Sequence, residues 1–477
     1  MKKAYFVGIG GIGMSALAQM MFEQGIEVTG SDRAVSPVTE LLERKGITVA
    51  VGQEAEHVPA DAEMVVYSDA VPEDNPERTR ARELGIPELS YFKMLGQVSL
   101  GKRTVAVAGT HGKTTTTGML ARILQDAGAS PTVIVGSILK DFGSNYVHGN
   151  SDLFLVEACE YRDHLLELSP EILVLTNIEW DHTDWFPSLQ VVQATFRRAI
   201  EHVPVSGALI TDPSHPNIAP LLTAAKCTVI DYTREPAYEL HTPGEFNQMN
   251  AHAAAAAARV VLARTTPGVE NYVLTPGVDG LTEQIAKSLA AFQGTWRRFE
   301  YKGKTKNGAD VYDDYAHHPT AIRATLAALR ERILLAHKET PRLREARKAR
   351  KETPRSEESP YDEVTPYGSR KVSPRLYVAF HPHLYSRTRD LLDEFATAFG
   401  DADKVFIAPI FAARETDDGS ISSEMLAERI RATGVDATAL GSFDAIEKAL
   451  GEAGPGDTII TMGAGDIYKV ADSLVKH

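Results

Sequence analysis

The segment Gly109-Thr110-His111-Gly112-Lys113-Thr114-Thr115 carries the most direct chemical signal in this chain of 477 residues. It follows the apolar run TVAVA and opens a stretch that reads as a helix. In such a strand–loop–helix unit the backbone N–H groups wrap phosphates, a lysine reaches the outer phosphates and a hydroxyl holds Mg²⁺. Lys113 and Thr114 stand in those two places, although Val107 replaces the first glycine of the usual eight-residue pattern. The spacing predicts ATP with Mg²⁺ rather than a chance Gly-Lys-Thr helix start.

Three further groups could do chemistry. Gly8, Gly10, Gly11 and Gly13 lie between a strand and a helix, where glycines let the backbone approach a diphosphate and the helix N-terminus attracts it. Asp32, ending the next strand, is placed to accept from a ribose or base. Alone, this loop fits an NAD enzyme, another nucleotide binder or a tight turn. Glu157 closes the run DLFLVEA and His182 follows EILVLTNIEWD. Ligands of open α/β sheets sit at the carboxyl ends of strands, so both residues can face the phosphate loop. An oxygen ligand such as Glu157 suits Mg²⁺, whereas His182 reads equally well as a hydrogen-bonded loop histidine. The segment Asp313-Asp314-Tyr315-Ala316-His317-His318-Pro319 joins a strand to a helix, but no further spacing marks its histidines as a metal pair. Arg297 and Arg298 upstream, with Arg387 and Arg389 downstream, are either cations for a phosphate and a carboxylate or ordinary surface arginines.

Strands alternating with helices must position these groups, which predicts an α/β protein with mainly parallel sheets. Residues 1–100 form a first α/β unit, 101–296 a central one that carries the phosphate loop and 297–477 a third; the length suits three domains. Residues 336–375 depart from the pattern. They hold 11 Lys/Arg, 7 Asp/Glu and 5 Pro, and the pentapeptide KETPR occurs twice, at Lys338–Arg342 and Lys351–Arg355. Such a segment buries too little surface to fold alone and reads as a solvated or partly helical insertion.

Composition excludes several classes. A net charge of −14 argues against a nucleic-acid surface. No apolar run is long enough to span a membrane, and the glycines of MKKAYFVGIGGIG break what would otherwise resemble a signal peptide. Two cysteines, Cys159 and Cys227, give neither a disulfide framework nor zinc spacing, so the expected compartment is the cytoplasm.

Taken in order, GIGGIGMS, AGTHGKTTTT, VEACE, TNIEWDH, WRRFE, DDYAHHPT, HPHLYSRTRDL and TMGAGDI resemble the Mur ligase family. The resemblance covers nearly the whole chain except 336–375. It implies an ATP- and Mg²⁺-dependent ligase of peptidoglycan precursor synthesis, with UDP-N-acetylmuramate and L-alanine as substrates, acting as a monomer or homodimer. It implies a Rossmann-like N-terminal domain, a central P-loop ATPase domain and a Rossmann-like C-terminal domain, and assigns the first glycine loop, with Ser31, Asp32 and Ser68, to the UDP-sugar rather than NAD. Gly109 to Thr115, Asn247, Asn250 and Arg298 fall to ATP, and Thr114, Glu157 and His182 to the metal. Tyr315, His317 and Arg387 fall to the amino substrate, and Lys113, Arg298 and His317 to catalysis. This chain also departs from the family pattern. No lysine lies between Thr183 and Ile200, Cys159 replaces an acidic residue, Phe246 a histidine, and Leu384 an arginine associated with the amino acid's carboxylate. Two other readings stand beside this one: a recycling ligase that attaches a tripeptide to the same sugar, and an NAD-dependent oxidoreductase, which leaves GTHGKTT unexplained.

Overall fold

A computed structural model describes residues 1–265, 279–349, 374–413 and 415–476. The apolar runs pair into three sheets. The first is wholly parallel, in spatial order β3 (Thr48–Val51), β2 (Glu27–Asp32), β1 (Lys3–Val7), β4 (Met64–Tyr67), β5 (Glu88–Ser90). Chain order reverses between β1 and β4, and the crevice at that switch point is where such sheets bind ligands. The Gly8–Gly13 loop leaves β1 there and Ser68 follows β4.

The second sheet runs β12 (Thr228–Asp231), β11 (Ala208–Thr211), β10 (Ile172–Leu175), β6 (Arg103–Ala108), β9 (Leu153–Glu157), β7 (Thr132–Leu139), β8 (Ser144–Val147). All neighbours are parallel except the hairpin β7–β8. Strand β6 is therefore flanked by β9 and β10, so Glu157 and the loop carrying His182 emerge on either side of the phosphate loop. Over this sheet the helix Lys113–Asp126 packs against the helix Glu245–Thr265. Ala251 and Ala253 to Ala258 are all fully buried. Side chains that small permit close approach of the two backbones.

These two sheets belong to one unit, Met1–Arg298. The helix Ile12–Glu23 lies on β7 and β8. Asn145 of β8 donates to the hydroxyl of Ser15 at 2.8 Å, and Gln19 donates to Asn145 at 3.0 Å, so the polar groups buried between the two sheets are paired.

The second unit, Phe299–His477, holds the third sheet: β13 (Glu300–Lys304), β14 (Asp310–Asp314), β18 (Thr458–Met462), β15 (Leu376–Phe380), β16 (Lys404–Ile407), β17 (Asp436–Ala439). Only β13 is antiparallel. β18 lies between β14 and β15, which places DDYAHHPT, HPHLYSR and Gly463–Gly465 at adjacent strand ends. The helix Pro319–Ala349 takes in the first part of the charged segment, and 350–373 lie outside the described residues. Among the described residues no helix is long and apolar enough to cross a membrane.

Candidate active site

Two glycines with positive φ shape the phosphate loop, Gly109 at 127° and Gly112 at 83°. A Cβ on Gly109 would stand 2.2 Å from Thr176 Oγ1, and one on Gly112 2.2 Å from Asn250 Oδ1. The loop is also laced to the segment after β10. Thr110 N donates to Asn177 O at 3.0 Å, His111 N to Asn177 Oδ1 at 2.8 Å, and Glu179 N to Thr110 Oγ1 at 2.8 Å. Thr115 begins the helix beside them, partly exposed.

Lys113 turns back into its own loop. Its ammonium donates to Gly109 O at 2.5 Å and to both oxygens of Glu160, at 3.1 and 2.9 Å. Burial works against its charge, but the acidic groups around it, Glu160 foremost and Glu157 among them, together outweigh that, and the Lys113 pKa is raised. Glu160 was passed over as a site residue in the sequence, where its spacing of three from Glu157 is the signal that could have found it.

Thr114 Oγ1 donates to Glu157 Oε1 at 2.9 Å, and Arg298 Nη2 donates to Thr114 Oγ1 at 3.3 Å. The other Glu157 oxygen accepts from Gly136 N at 2.6 Å. Thr114 and Glu157 thus present hard oxygen donors side by side at the loop's mouth, the donor chemistry that suits Mg²⁺. His182 holds a left-handed φ of 51°, and its Nε2 lies 3.7 Å from Glu160 Oε1. It neighbours the carboxylate that grips Lys113. Cys159, between the two glutamates, is half-buried, and desolvation pushes its thiol up to about 12, which keeps it neutral. Asn250 accepts from Thr116 Oγ1 at 3.3 Å, and its amide donates to Asn247 Oδ1 at 3.4 Å, so the asparagine pair reaches the loop through Asn250.

In the N-terminal sheet, Gly8 N and Ile9 N both donate to Ser31 O at 2.9 Å, and Gly10 N donates to Asp32 Oδ2 at 2.8 Å. Asp32 therefore holds the loop itself with one oxygen. Gly11 caps the helix that follows, and a Cβ on Gly13 would stand 2.6 Å from the Tyr91 ring. Ser68 lies against Gly8, its Cβ 3.3 Å from where a Gly8 Cβ would be. The Ser31 side chain is not at the loop surface: it is fully buried and donates to Glu77 at 2.6 Å, alongside Tyr5 at 2.7 Å. Burial raises the Glu77 pKa, and these two donors oppose it.

In the C-terminal unit Tyr315, His317 and His383 form a ladder of rings, with centroids 5.2 and 6.1 Å apart. His317 Nδ1 lies 2.9 Å from Tyr315 O. A carbonyl only accepts, so that nitrogen carries the proton and Nε2 bears the lone pair of the neutral ring. Arg387 is almost wholly buried, with Nη1 3.2 Å from His383 Nδ1. Leu384 is buried too and has a φ of 74°, a strained conformation for a leucine, pinned by its N–H to Phe411 O at 2.9 Å. Gly463 and Gly465 leave room for His381, which a Cβ on either would meet at 2.5 Å.

A phosphate loop flanked by carboxylates, in a unit that also carries a nucleotide-type sheet, defines a nucleotide-dependent enzyme of the α/β kind. Comparison with known proteins agrees. The profile described as Mur ligase family, catalytic domain, matches residues 3–103; the Mur ligase middle domain matches 107–239; the Mur ligase, glutamate ligase domain matches 297–353 and 367–465. A UDP-N-acetylmuramate–L-alanine ligase of Acetivibrio thermocellus is 37% identical over 100% of this chain and 96% of its own length. One of Lachnospira eligens is 37% identical over 99% and 97%. Among solved structures, the UDP-N-acetylmuramate–alanine ligase of Thermotoga maritima superposes with a TM-score of 0.73 at 25% identity, covering 100% of this chain and 98% of that one. A murein peptide ligase of Psychrobacter arcticus shares the fold at a TM-score of 0.67 and 22% identity, each chain fully covered. The chain belongs to the Mur ligase family and is an ATP-dependent ligase.

Proposed function

We propose that this chain joins L-alanine to the carboxylate of UDP-N-acetylmuramate through an acyl-phosphate, releasing ADP and phosphate. What carries the reading is full-length likeness at 37% to relatives of that name, in a chain whose Lys113, Thr114 and Glu157 converge at one loop.

A carboxylate resists attack because its charge repels nucleophiles and it has no leaving group. Transfer of the γ-phosphoryl of ATP removes both obstacles. Lys113 and Arg298 offset the charge that develops during transfer. An incoming phosphate competes with Glu160 for the Lys113 ammonium, so the present ion pair holds the lysine ready in its loop. Thr114 and Glu157, with His182, are the groups that would hold Mg²⁺, which supplies neutralisation of the nucleotide's phosphates when bound. Asn250 and Asn247 bound the nucleotide side of the loop. The Gly8–Gly13 loop, held by Asp32 and flanked by Ser68, takes the diphosphate of the sugar nucleotide. Tyr315 and Arg387 orient the amine substrate. His317 Nε2 accepts a proton from the amine as it attacks.

Phosphate release from ATP, measured with UDP-N-acetylmuramate and L-alanine, glycine, L-serine or the tripeptide added separately, tests the reading. Release that depends on L-alanine is expected. Release with the tripeptide alone would move the chain to the recycling reaction, and none with any amine would refute the ligase assignment.

A further inference from the structure

The loop after Glu160 holds two consecutive non-glycine residues in the left-handed region, Arg162 (φ 51°, ψ 30°) and Asp163 (φ 62°, ψ 18°). Such backbone persists only where its surroundings over-determine it, and it marks functional loops. Here the surroundings are visible. Asp163 N donates to Glu160 O at 3.1 Å, and the Asp163 carboxylate accepts from Thr195 at 2.5 Å and Arg198 at 3.0 Å. The result is an exposed Arg162 whose guanidinium lies 5.3 Å from the Tyr161 ring centroid and 5.6 Å from that of Trp185. Trp185 is itself 47% exposed. Among the described residues Arg162 makes no ion pair. Asp163 is engaged elsewhere, and Asp184 accepts from the Tyr161 hydroxyl at 3.0 Å. The Arg162 charge nevertheless reaches Asp69, one residue past Ser68, and lowers its carboxyl against the raising effect of burial. His164 Nε2, two residues on, lies 3.8 Å from Asp69 Oδ2, so the loop that carries Arg162 runs from the Glu160–Lys113 pair to the residue after Ser68.

We propose that Arg162, held beside the rings of Tyr161 and Trp185, binds an oxyanion of the acceptor sugar nucleotide, while the exposed Trp185 face packs against its sugar. This rests on the function proposed above and names a binding element of that same site. An acceptor with its diphosphate at Gly8–Gly13 and its carboxylate directed to Lys113 would run along this loop. A guanidinium in contact with aromatic rings keeps N–H donors for a planar, two-oxygen partner. Stacking also restricts its rotamers, so little freedom is lost on binding.

Arg162→Gly removes the guanidinium and the backbone strain together, so it is not expected to lower the melting temperature. Its KM for UDP-N-acetylmuramate should rise roughly tenfold or more, with the KM values for ATP and L-alanine within about twofold of wild type. Trp185→Ala should raise the same KM by roughly threefold to tenfold. Titration with UDP-N-acetylglucosamine, which lacks the lactyl carboxylate, separates the two oxyanions. Affinity unchanged in Arg162→Gly assigns the arginine to the carboxylate, and an equal loss assigns it to the diphosphate. An unaltered KM for the acceptor, or an equal rise in all three KM values, overturns the proposal. Wild-type protein inactive with this acceptor and every amine would instead overturn the function on which it rests.

Discussion

Replacement of Gly112 by alanine tests whether the phosphate loop is held by close packing or only by its glycine dihedral. Gly128 provides the control. Both have positive φ, 83° and 75°, but a Cβ on Gly128 meets nothing within 4 Å, while one on Gly112 meets Asn250 Oδ1 at 2.2 Å. The dihedral alone costs about 1–2 kcal/mol in either variant. Only at Gly112 must the new Cβ also displace Asn250, breaking its hydrogen bonds with Thr116 and Asn247 at about 1 kcal/mol each. Gly112→Ala should therefore be destabilised by about 2 kcal/mol more than Gly128→Ala in urea unfolding. If the same displacement opposes nucleotide binding, its ATP affinity should fall roughly thirtyfold, measured by calorimetry. Gly128→Ala should bind ATP as wild type does. Adding Asn250→Ala to Gly112→Ala should cost less than the sum of the single changes, because the clash partner is gone. Equal destabilisation by the two glycine variants, with ATP affinity unchanged in both, would refute the packing argument.

Lys113→Ala should reduce ATP turnover roughly a hundred- to a thousandfold while leaving the circular-dichroism spectrum intact; retained phosphate release would remove the lysine from the chemistry. Asp32→Ala frees the Gly10 N–H from a charged acceptor, worth about 1.5–3 kcal/mol, and should raise the KM for UDP-N-acetylmuramate roughly ten- to a hundredfold with kcat little changed. His164 stacks on Phe92 with ring centroids 3.6 Å apart; burial first and the Arg162 charge second push its pKa down to about 4. A base depressed in the folded state gives stability that is present above its unfolded pKa of about 6.5 and is lost as pH falls toward 4, by on the order of 2–3 kcal/mol. His164→Phe should flatten that part of the stability–pH curve, and an unchanged slope between pH 4 and 6.5 would contradict the assignment.

The parts of this protein legible in its sequence are those where spacing itself does the work. The loop from Gly109 to Thr115 is contiguous, so its strand–loop–helix context is visible without a structure. Glu157 and His182 could be placed because each follows a buried apolar run, and a parallel sheet sends such ends to one edge. Three domains followed from the alternation of runs. The short edge strands Thr48–Val51, Glu88–Ser90 and Asp436–Ala439 have no sustained apolar run, and pairing rather than composition makes them strands. Contacts between distant segments were likewise hidden. Nothing in the chain says that Glu160 grips Lys113, that Asn177 laces the loop, or that the hydroxyl of Ser31 turns inward to Glu77. Nor can spacing reveal backbone strain, which at Arg162, Asp163, His182 and Leu384 depends on what surrounds each residue.

The helix Pro319–Ala349 begins where His317 and His318 leave β14, and its 31 residues at about 1.5 Å each extend about 46 Å. The five-residue β14 it follows spans only about 17 Å. Because β14 and β15 run the same way, the helix must travel back toward the opposite edge of the sheet and past it. Leu334 and Leu335, each 52% exposed, mark where it has left its support. Every residue added beyond that point lengthens an arm directed away from the strand ends that carry the histidines. The first KETPR copy, Lys338–Arg342, falls in this extension, and the second lies outside the described residues. The same distance makes the far part of this helix a practical position for an internal affinity tag or a fluorescent reporter in a ligase that must keep its catalytic face unencumbered.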